Sequence, residues 1–453
     1  MVDRRTLLKA GASLPLAGFA GLGHAAEAGL TSAPIAGHFR DDGVRLWLQA
    51  DRAAVGSISF RAAGGNDQWR SVPFTLEVAG SYSAIVELKS LSPATRYEYR
   101  VLLADREVAS KLSFRTAAAP SAAARDFRVY LGSCAYSEAQ SPGGNPYGGE
   151  FQIFDSIAAQ MQADSLPHFM LWLGDNLYLR PVGKFKLIAD FDSAKTMDAR
   201  YRDVRAKPFL QKLFAASHHY AIWDDHDYGP NNAFKSFALK EDSLRLFKQY
   251  WPNPEMGSAE LPGTWCKFTQ EDAEFFLLDD RFYRDGEDAE PSDTKAMLGP
   301  RQIAWLKQSL LHSKARFKIV ANGSQMLSEG NNGSGWHRYR TEREDFLAWL
   351  GREKIPGIIL LTGDRHNTQL FRLDIAGGPP VFEYCSSPLT SRVGKVSRTE
   401  WANPRLVKDS AVEKRNFGTL QFTGSGKDRK VVGHCFDADG AQLWTTVLAE
   451  GPA

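Results

Sequence analysis

The rhythm of apolar and polar residues changes near residue 125. Over 31–117 short runs alternate the two kinds, as in Val44-Arg45-Leu46-Trp47-Leu48 and Ser57-Ile58-Ser59-Phe60, and Gly64-Gly65-Asn66-Asp67 interrupts them. Period-two alternation puts every second side chain on one face of a sheet, so this stretch predicts half-buried strands. From Phe127 onward, continuous apolar runs alternate with amphipathic stretches. The apolar runs predict core strands at Phe127 to Leu131, Phe169 to Leu173, His219 to Trp223, Glu274 to Leu278, Phe317 to Ala321 and Gly357 to Leu361. Helical spacing between them predicts helices at Phe151 to Ala163, Tyr201 to Ala216, Pro300 to His312 and Glu342 to Arg352,. Strands alternating with helices imply a sheet covered by helices.

Two features refine the division. Ala117 to Ala124, rich in Ala, Pro and Ser, reads as a linker between a domain at 31–117 and a larger one at 127–450,. In the first domain, Leu91 to Val101 carries Tyr97 and Tyr99 and resembles the tyrosine corner of fibronectin type III and immunoglobulin-like sandwiches,. The tail Lys430 to Leu448 predicts a hairpin turning at Asp439-Gly440,.

A length of 453 residues exceeds what one core comfortably serves, in agreement with two domains,. A formal charge of +2 provides no basic footprint for nucleic acid or an anionic membrane,. The first 28 residues differ in character from the rest. Arg4-Arg5 precedes a short apolar stretch, Ala10 to Leu22, and small residues end at Ala26-Glu27-Ala28, as in a cleaved export signal,. The twin arginines resemble the address read by the twin-arginine translocation machinery, which implies a periplasmic or secreted protein. No stretch of the mature chain is apolar over the ~20 residues a membrane span needs. The four cysteines, Cys134, Cys266, Cys385 and Cys435, form no C-x-x-C pair,.

Four of the predicted strands are followed at once by ligating or ionisable residues. These are Gly132-Ser133-Cys134, Gly174-Asp175-Asn176-Leu177-Tyr178, Asp224-Asp225-His226-Asp227 and Gly363-Asp364-Arg365-His366-Asn367. Loops at the carboxyl ends of strands diverge above a rigid platform and are where α/β sheets bind ligands. Several carboxylates share a small space only if cations or hydrogen bonds offset their repulsion, so a multinuclear metal site is expected. Asn231 and Asn232 either supply carbonyl oxygens to that site or cap a helix, and Cys134 is either a thiolate ligand, a small buried hydrophobe or half of a disulfide,.

Asp175 and Tyr178 share the GDxxY spacing of the purple acid phosphatase ligand pair. Asp225 and His226 occupy the second and third places of the metallophosphoesterase pattern G-N-H-[DE], the metal-binding place and the histidine that faces the leaving group, with Asp in place of Asn. Asp364 stands where a first histidine of the G-H-x-H motif would be. The ordered set Gly-Ser-Cys, Gly-Asp-Asn-Leu-Tyr, Trp-Asp-Asp-His-Asp with Asn-Asn, Asn322-Gly-Ser-Gln, Trp336 to Tyr339 and Gly-Asp-Arg-His-Asn resembles the alkaline phosphatase D family from about Phe127 to Asn367.

That resemblance implies an α/β metallophosphatase-like sandwich of mixed sheets flanked by helices, preceded by a small all-β fibronectin- or immunoglobulin-like sandwich. It implies ferric iron, Fe(3+), with calcium, Ca(2+), held by Cys134, Asp175, Tyr178, Asp225, Asp364 and His366, with Asn232 as a further ligand. The implied reaction is hydrolysis of phosphomonoesters or phosphodiesters by a metal-bound hydroxide. His226 would protonate the leaving oxygen or bind the phosphoryl group, and Arg365 would either contact phosphate or pair with a neighbouring acid. A phosphodiesterase or phospholipase uses the same site. An exported binding protein with structural metals, its sandwich domain docked on a surface polymer, is the alternative from another class; Gly323-Ser324-Gln325 lacks a nucleophile elbow and argues against a serine hydrolase,.

Overall fold

The structure is a computed structural model that describes residues 27–65, 67–120, 122–182, 188–330 and 335–451. The expected export signal over 1–28 lies outside these residues except for its last two. No helix of the described residues is long and apolar enough to cross a membrane.

Two sheets face each other in the larger domain. In the first, the strands Phe127–Gly132, His168–Leu173 and His218–Ile222 lie side by side and parallel. In the second, Ala273–Leu277, Phe317–Ala321, Ile358–Thr362 and Val381–Cys385 run parallel in that order. Their side chains are largely buried on both faces, which is why six of the seven read as mainly apolar runs; Val381–Cys385, with the buried Glu383 at its centre, does not,. Aromatic rings join the sheets. Tyr220 of the first stacks on Phe268 of the second at 3.9 Å between centroids, and Phe169 meets Phe275 edge-on at 5.3 Å.

Helices cover the outer faces where periodicity placed them, at Gln152–Ala163, Pro300–His312 and Arg340–Glu353. The exception is the helix expected over Tyr201 to Ala216. A helix runs over Ala194–Arg205, opened by a capping box in which Thr196 N–H donates to Ser193 Oγ at 3.2 Å. It stops because Pro208 disfavours helical backbone at the preceding residue, and Lys207 is extended at ψ 125,. A single turn, Pro208–Leu210, then leads into Gln211–Ala216.

Among the described residues, those of the amino-terminal region form seven strands. Four make one antiparallel sheet in the order Arg70–Leu76, Ala54–Ala62, Arg96–Leu103, Arg106–Arg115. The other three, Ile35–Phe39, Val44–Gln49 and Ser83–Leu88, continue the first sheet of the larger domain, with Ala36 opposite His218 in parallel register. The tyrosine corner is present: the Tyr97 hydroxyl accepts from Ser92 N–H at 2.8 Å. The expected tail hairpin is Lys430–Asp437 paired with Gln442–Glu450, at the far edge of the first sheet.

Candidate metal centre

All the parallel strands of both sheets end on one side, and the loops that follow converge there. Gly363 marks the meeting point of the two sheets, since a Cβ on it would lie 2.7 Å from Ser133 Cβ. Gly174, at φ +88, leaves no room for a side chain beside Asp224 Cβ, 2.7 Å away.

The backbone at the site is bent in an unusual way. Cys134, Asp175, Asn232, Asp364 and His366 all have positive φ, between 52° and 69°. Left-handed backbone is uncommon for residues with a Cβ and clusters at functional sites, where the fold holds side chains in a direction local preference would not choose. Five of the residues singled out from the sequence share this feature.

The side chains meet. Ligand atoms of Cys134, Asp175 and His366 lie within 4.8 Å of one another, as do those of Asp175, Asp225 and His226, and those of Asp224, Asp225 and Asp364. Asp175 belongs to two of these groups and Asp225 to two, the arrangement a bridged, multinuclear site requires. The Tyr178 hydroxyl is 3.4 Å from His366 Nε2, which places the phenol in the first group. Main-chain amides fix the carboxylates: His226 N–H donates to Asp225 Oδ1 at 3.0 Å and Asp175 Oδ1 at 3.3 Å, and Asn232 N–H donates to Asp225 Oδ2 at 2.7 Å. Asn232 also donates through Nδ2 to Glu287 at 3.1 Å.

Electrostatics make a cation the fitting occupant. Burial, then the neighbouring Asp225 and Asp224, push Asp175 well above the usual carboxylate range. Burial raises Asp364 to about 6 against the pull of Arg365. The Cys134 thiol is pushed well up by burial and Asp175, and the Tyr178 phenol by burial, Asp175 and Cys134. Asp225 alone stays below the ordinary range, because His226, Arg281 and the Asn232 amide more than offset its burial. Burial lowers His226 against the pull of Asp225, and burial followed by the nearby His226 lowers His366 to about 3, the direction that favours an imidazole able to ligate,. The buried Nδ1 of His226 has no hydrogen-bond partner among the described residues. A thiol, a phenol and carboxylic acids that resist ionisation in isolation become anions when positive ions are supplied.

The repulsion expected among the three acids of Trp223 to Asp227 is resolved in two ways. Asp224 Oδ1 accepts from Arg281 Nε at 2.6 Å, both side chains fully buried. Asp227 accepts from the backbone N–H groups of Asn176 and Asp224, each at 3.0 Å, and so ties two site loops together. Cys134 is free, as are the other three cysteines, and Ser387 Oγ donates to its Sγ at 3.2 Å.

Above the cluster opens a cavity of about 550 Å³, whose wall includes Asp175, Asp225, His226, Asn231, Asn232, Asp364, Arg365 and His366. Residues 129–427 match the family described as PhoD-like phosphatase. The chain belongs to that family. A second match, to a domain of unknown function, covers residues 27–121.

Among curated proteins, alkaline phosphatase D of Bacillus subtilis (strain 168) is 24% identical over 324 residues, which are 63% of this chain and 53% of that protein. The chain thus spans about half the length of the curated relative it matches. Among solved structures, that of PhoD superimposes with a TM-score of 0.74 at 18% identity, covering 94% of this chain and 93% of the other. The purple acid phosphatase PPD1 from yellow lupin (Lupinus luteus) seeds gives 0.64 at 11% identity, covering 92% and 74%. At such identities the two structures establish the fold, an α/β metallophosphatase-like sandwich with an all-β amino-terminal region.

This PhoD-like site contains residues that the sequence reading passed over. Arg281 follows Leu278-Asp279-Asp280, so the rule of polar residues after a predicted strand end would have found it. Tyr147, Arg392 and Lys395 line the cavity from irregular loops and carry no comparable signal.

Proposed function

We propose that this chain is an exported, metal-dependent phosphoester hydrolase that releases phosphate from phosphomonoesters, phosphodiesters or both. The observation that carries the reading is the convergence of Cys134, Asp175, Tyr178, Asp225, Asp364 and His366 on one cavity bordered by arginines.

Ferric iron suits the Cys134, Asp175, Tyr178 and His366 set, because thiolate and phenolate donors favour a transition metal. Calcium suits the oxygen-rich set of Asp175, Asp225 and Asp364, with Asn232 beside it. When bound, such cations supply Lewis acidity, offsetting charge on the phosphoryl group and activating water. The chain's own residues orient the ester. Arg365 faces the same cavity and matches phosphate oxygens in a bidentate way,. His226 is held by its main-chain bonds and by stacking on the Tyr178 ring at 4.2 Å, so its ring direction is set before substrate arrives. From there it donates a hydrogen bond or a proton to the leaving oxygen. The width of the cavity leaves room for the second ester group of a diester.

The purified protein is expected to contain iron and to hydrolyse both an aryl phosphate and the corresponding diester. Chelation should abolish turnover, and calcium should restore it only while iron is retained. Zinc alone in an active enzyme would overturn the metal assignment, and a metal-replete protein inert toward both esters would overturn the reaction class.

A further inference from the structure

The strands His168–Leu173 and His218–Ile222 carry the metal loops at their ends and a second cavity at their beginnings. At roughly 3.3 Å per residue, about 17 Å of strand separates the two. This cavity, of about 330 Å³, lies between the amino-terminal four-stranded sheet and the larger domain, with Arg96, Ser113 and Arg115 on one wall and Asp164, Ser165 and His168 on the other.

Arg96 and Arg115 are register partners on adjacent antiparallel strands. Directly opposed residues project to the same face of a sheet, and like charges there repel. Among the described residues no carboxylate pairs with either guanidinium to offset that repulsion. Arg96 Nη2 donates to Ser113 Oγ at 3.1 Å, and among the described residues neither guanidinium forms an ion pair. The nearby Arg125 is matched by Glu271 at 2.6 Å, and the cavity's carboxylate, Asp164, is matched by Arg128 at 2.9 Å. Burial, then Arg125 and Arg96, hold Arg115 below its ordinary value, the direction expected of a cation lacking a counter-ion.

We propose that this cavity binds a phosphate group, free or borne on a small organic molecule, between the guanidinium groups of Arg96 and Arg115. Two guanidinium forks present parallel donors that match the oxygens of a tetrahedral oxyanion. The hydroxyl groups of Ser113 and Ser165 add donors beside them,. A cavity of this volume exceeds a bare phosphate and accommodates an attached organic group. The site uses no residue of the metal centre, so it stands apart from the proposed hydrolysis.

The test is calorimetric titration of the metal-replete protein with inorganic phosphate and, separately, with non-hydrolysable phenylphosphonate. Arg96→Gln and Arg115→Gln are each expected to weaken one class of binding by about tenfold or more, the loss of a charge-assisted contact. Turnover of an aryl phosphate should be unchanged. In phosphate-free buffer Arg115→Gln should melt no lower than the parent, because it removes a repulsion, and phosphate should raise the parent's Tm more than the variant's. Tighter binding of phenylphosphonate assigns the site to an organic phosphate, and equal or tighter binding of inorganic phosphate assigns it to the free anion. Equal phosphate binding by the parent and both variants would overturn the proposal. So would a lower Tm of Arg115→Gln in phosphate-free buffer, since the guanidinium would then belong to the fold. Arg96→Gln, at an exposed strand start, repeats the binding test at a position on which the core does not depend.

Discussion

Removing the metals is a perturbation whose effect depends on pH, and its sign follows from the buried acids. In the metal-free protein, burial, opposed by Arg365 and reinforced by Asp225, raises Asp364 from 3.8 to about 6, and Asp175 and Asp224 stand well above the ordinary range. Between the unfolded and the raised value the folded protein binds more protons than the unfolded chain, so its stability is lost as pH rises through that window. Cations require the ionised carboxylates, so the metal-bound protein escapes this loss. The stability difference between metal-replete and metal-stripped protein should therefore widen as pH rises from about 4 to about 6,. Asp364 alone contributes about 3 kcal/mol, an upper bound because its side chain keeps some contact with solvent,. Buried histidines work in the opposite sense: His38 and His218, each lowered to about 4 chiefly by burial, and His219, lowered to about 3, favour folding as pH rises toward 6.5. They lie outside the cluster and cancel in the difference. Urea denaturation of both preparations across this range, with metal content measured on each, gives the quantity directly. A difference that stays flat or narrows with rising pH would refute the claim that these carboxylates are ionised by bound cations.

Four further outcomes are expected. Cys134→Ser should lower iron occupancy more than stability, since Ser387 can still donate to the new oxygen; a purely structural Cys134 predicts the reverse, a cost of roughly 1–3 kcal/mol with iron and turnover unchanged. Tyr178→Phe should weaken or shift a visible charge-transfer band, and an unaltered spectrum would remove the phenol from the iron site. Arg281→Met strands the buried Asp224 and should cost about 3–5 kcal/mol in urea unfolding,; a loss below about 1 kcal/mol would mean Asp224 is satisfied without it. Replacing Arg4 and Arg5 by lysine should block export while the folded enzyme remains active in the cytoplasm, and normal delivery across the membrane would show that the address had been misread,.

Six of the parallel core strands and three of the covering helices are legible in the chain because burial on both faces leaves a mainly apolar run, and a covering helix leaves a stripe at 3.6 spacing; the core strand Val381–Cys385, with the buried Glu383 at its centre, is not,. Phe317–Ala321 and Pro300–His312 coincide with their sequence expectations to the residue. The helix over Tyr201 to Ala216 was misjudged because its apolar spacing continues through Pro208 although the backbone cannot,. The antiparallel strands Cys266–Gln270 and Gln369–Leu373 escaped notice, since they sit at the edges of the second sheet and mix exposed with buried positions.

Which residues stand at the strand ends is written in the local pattern, because the chemistry there conflicts with the apolar runs before it. Cys134, Asp175, Tyr178, Asp225, His226, Asn232, Asp364, Arg365 and His366 were all visible as local departures of this kind. Only the tertiary structure decided how they divide into groups. Asp175 and Asp364 are 189 positions apart in number yet share one cavity because two separate sheets end on the same side. Likewise, nothing in the local pattern of Asp224 marks it as the partner of Arg281, or Arg96 as the neighbour of Arg115. Periodicity reports how a residue faces its own sheet or helix. Which distant charge meets it depends on how elements pack, and that is set by the summed burial of the whole core rather than by any short stretch of chain.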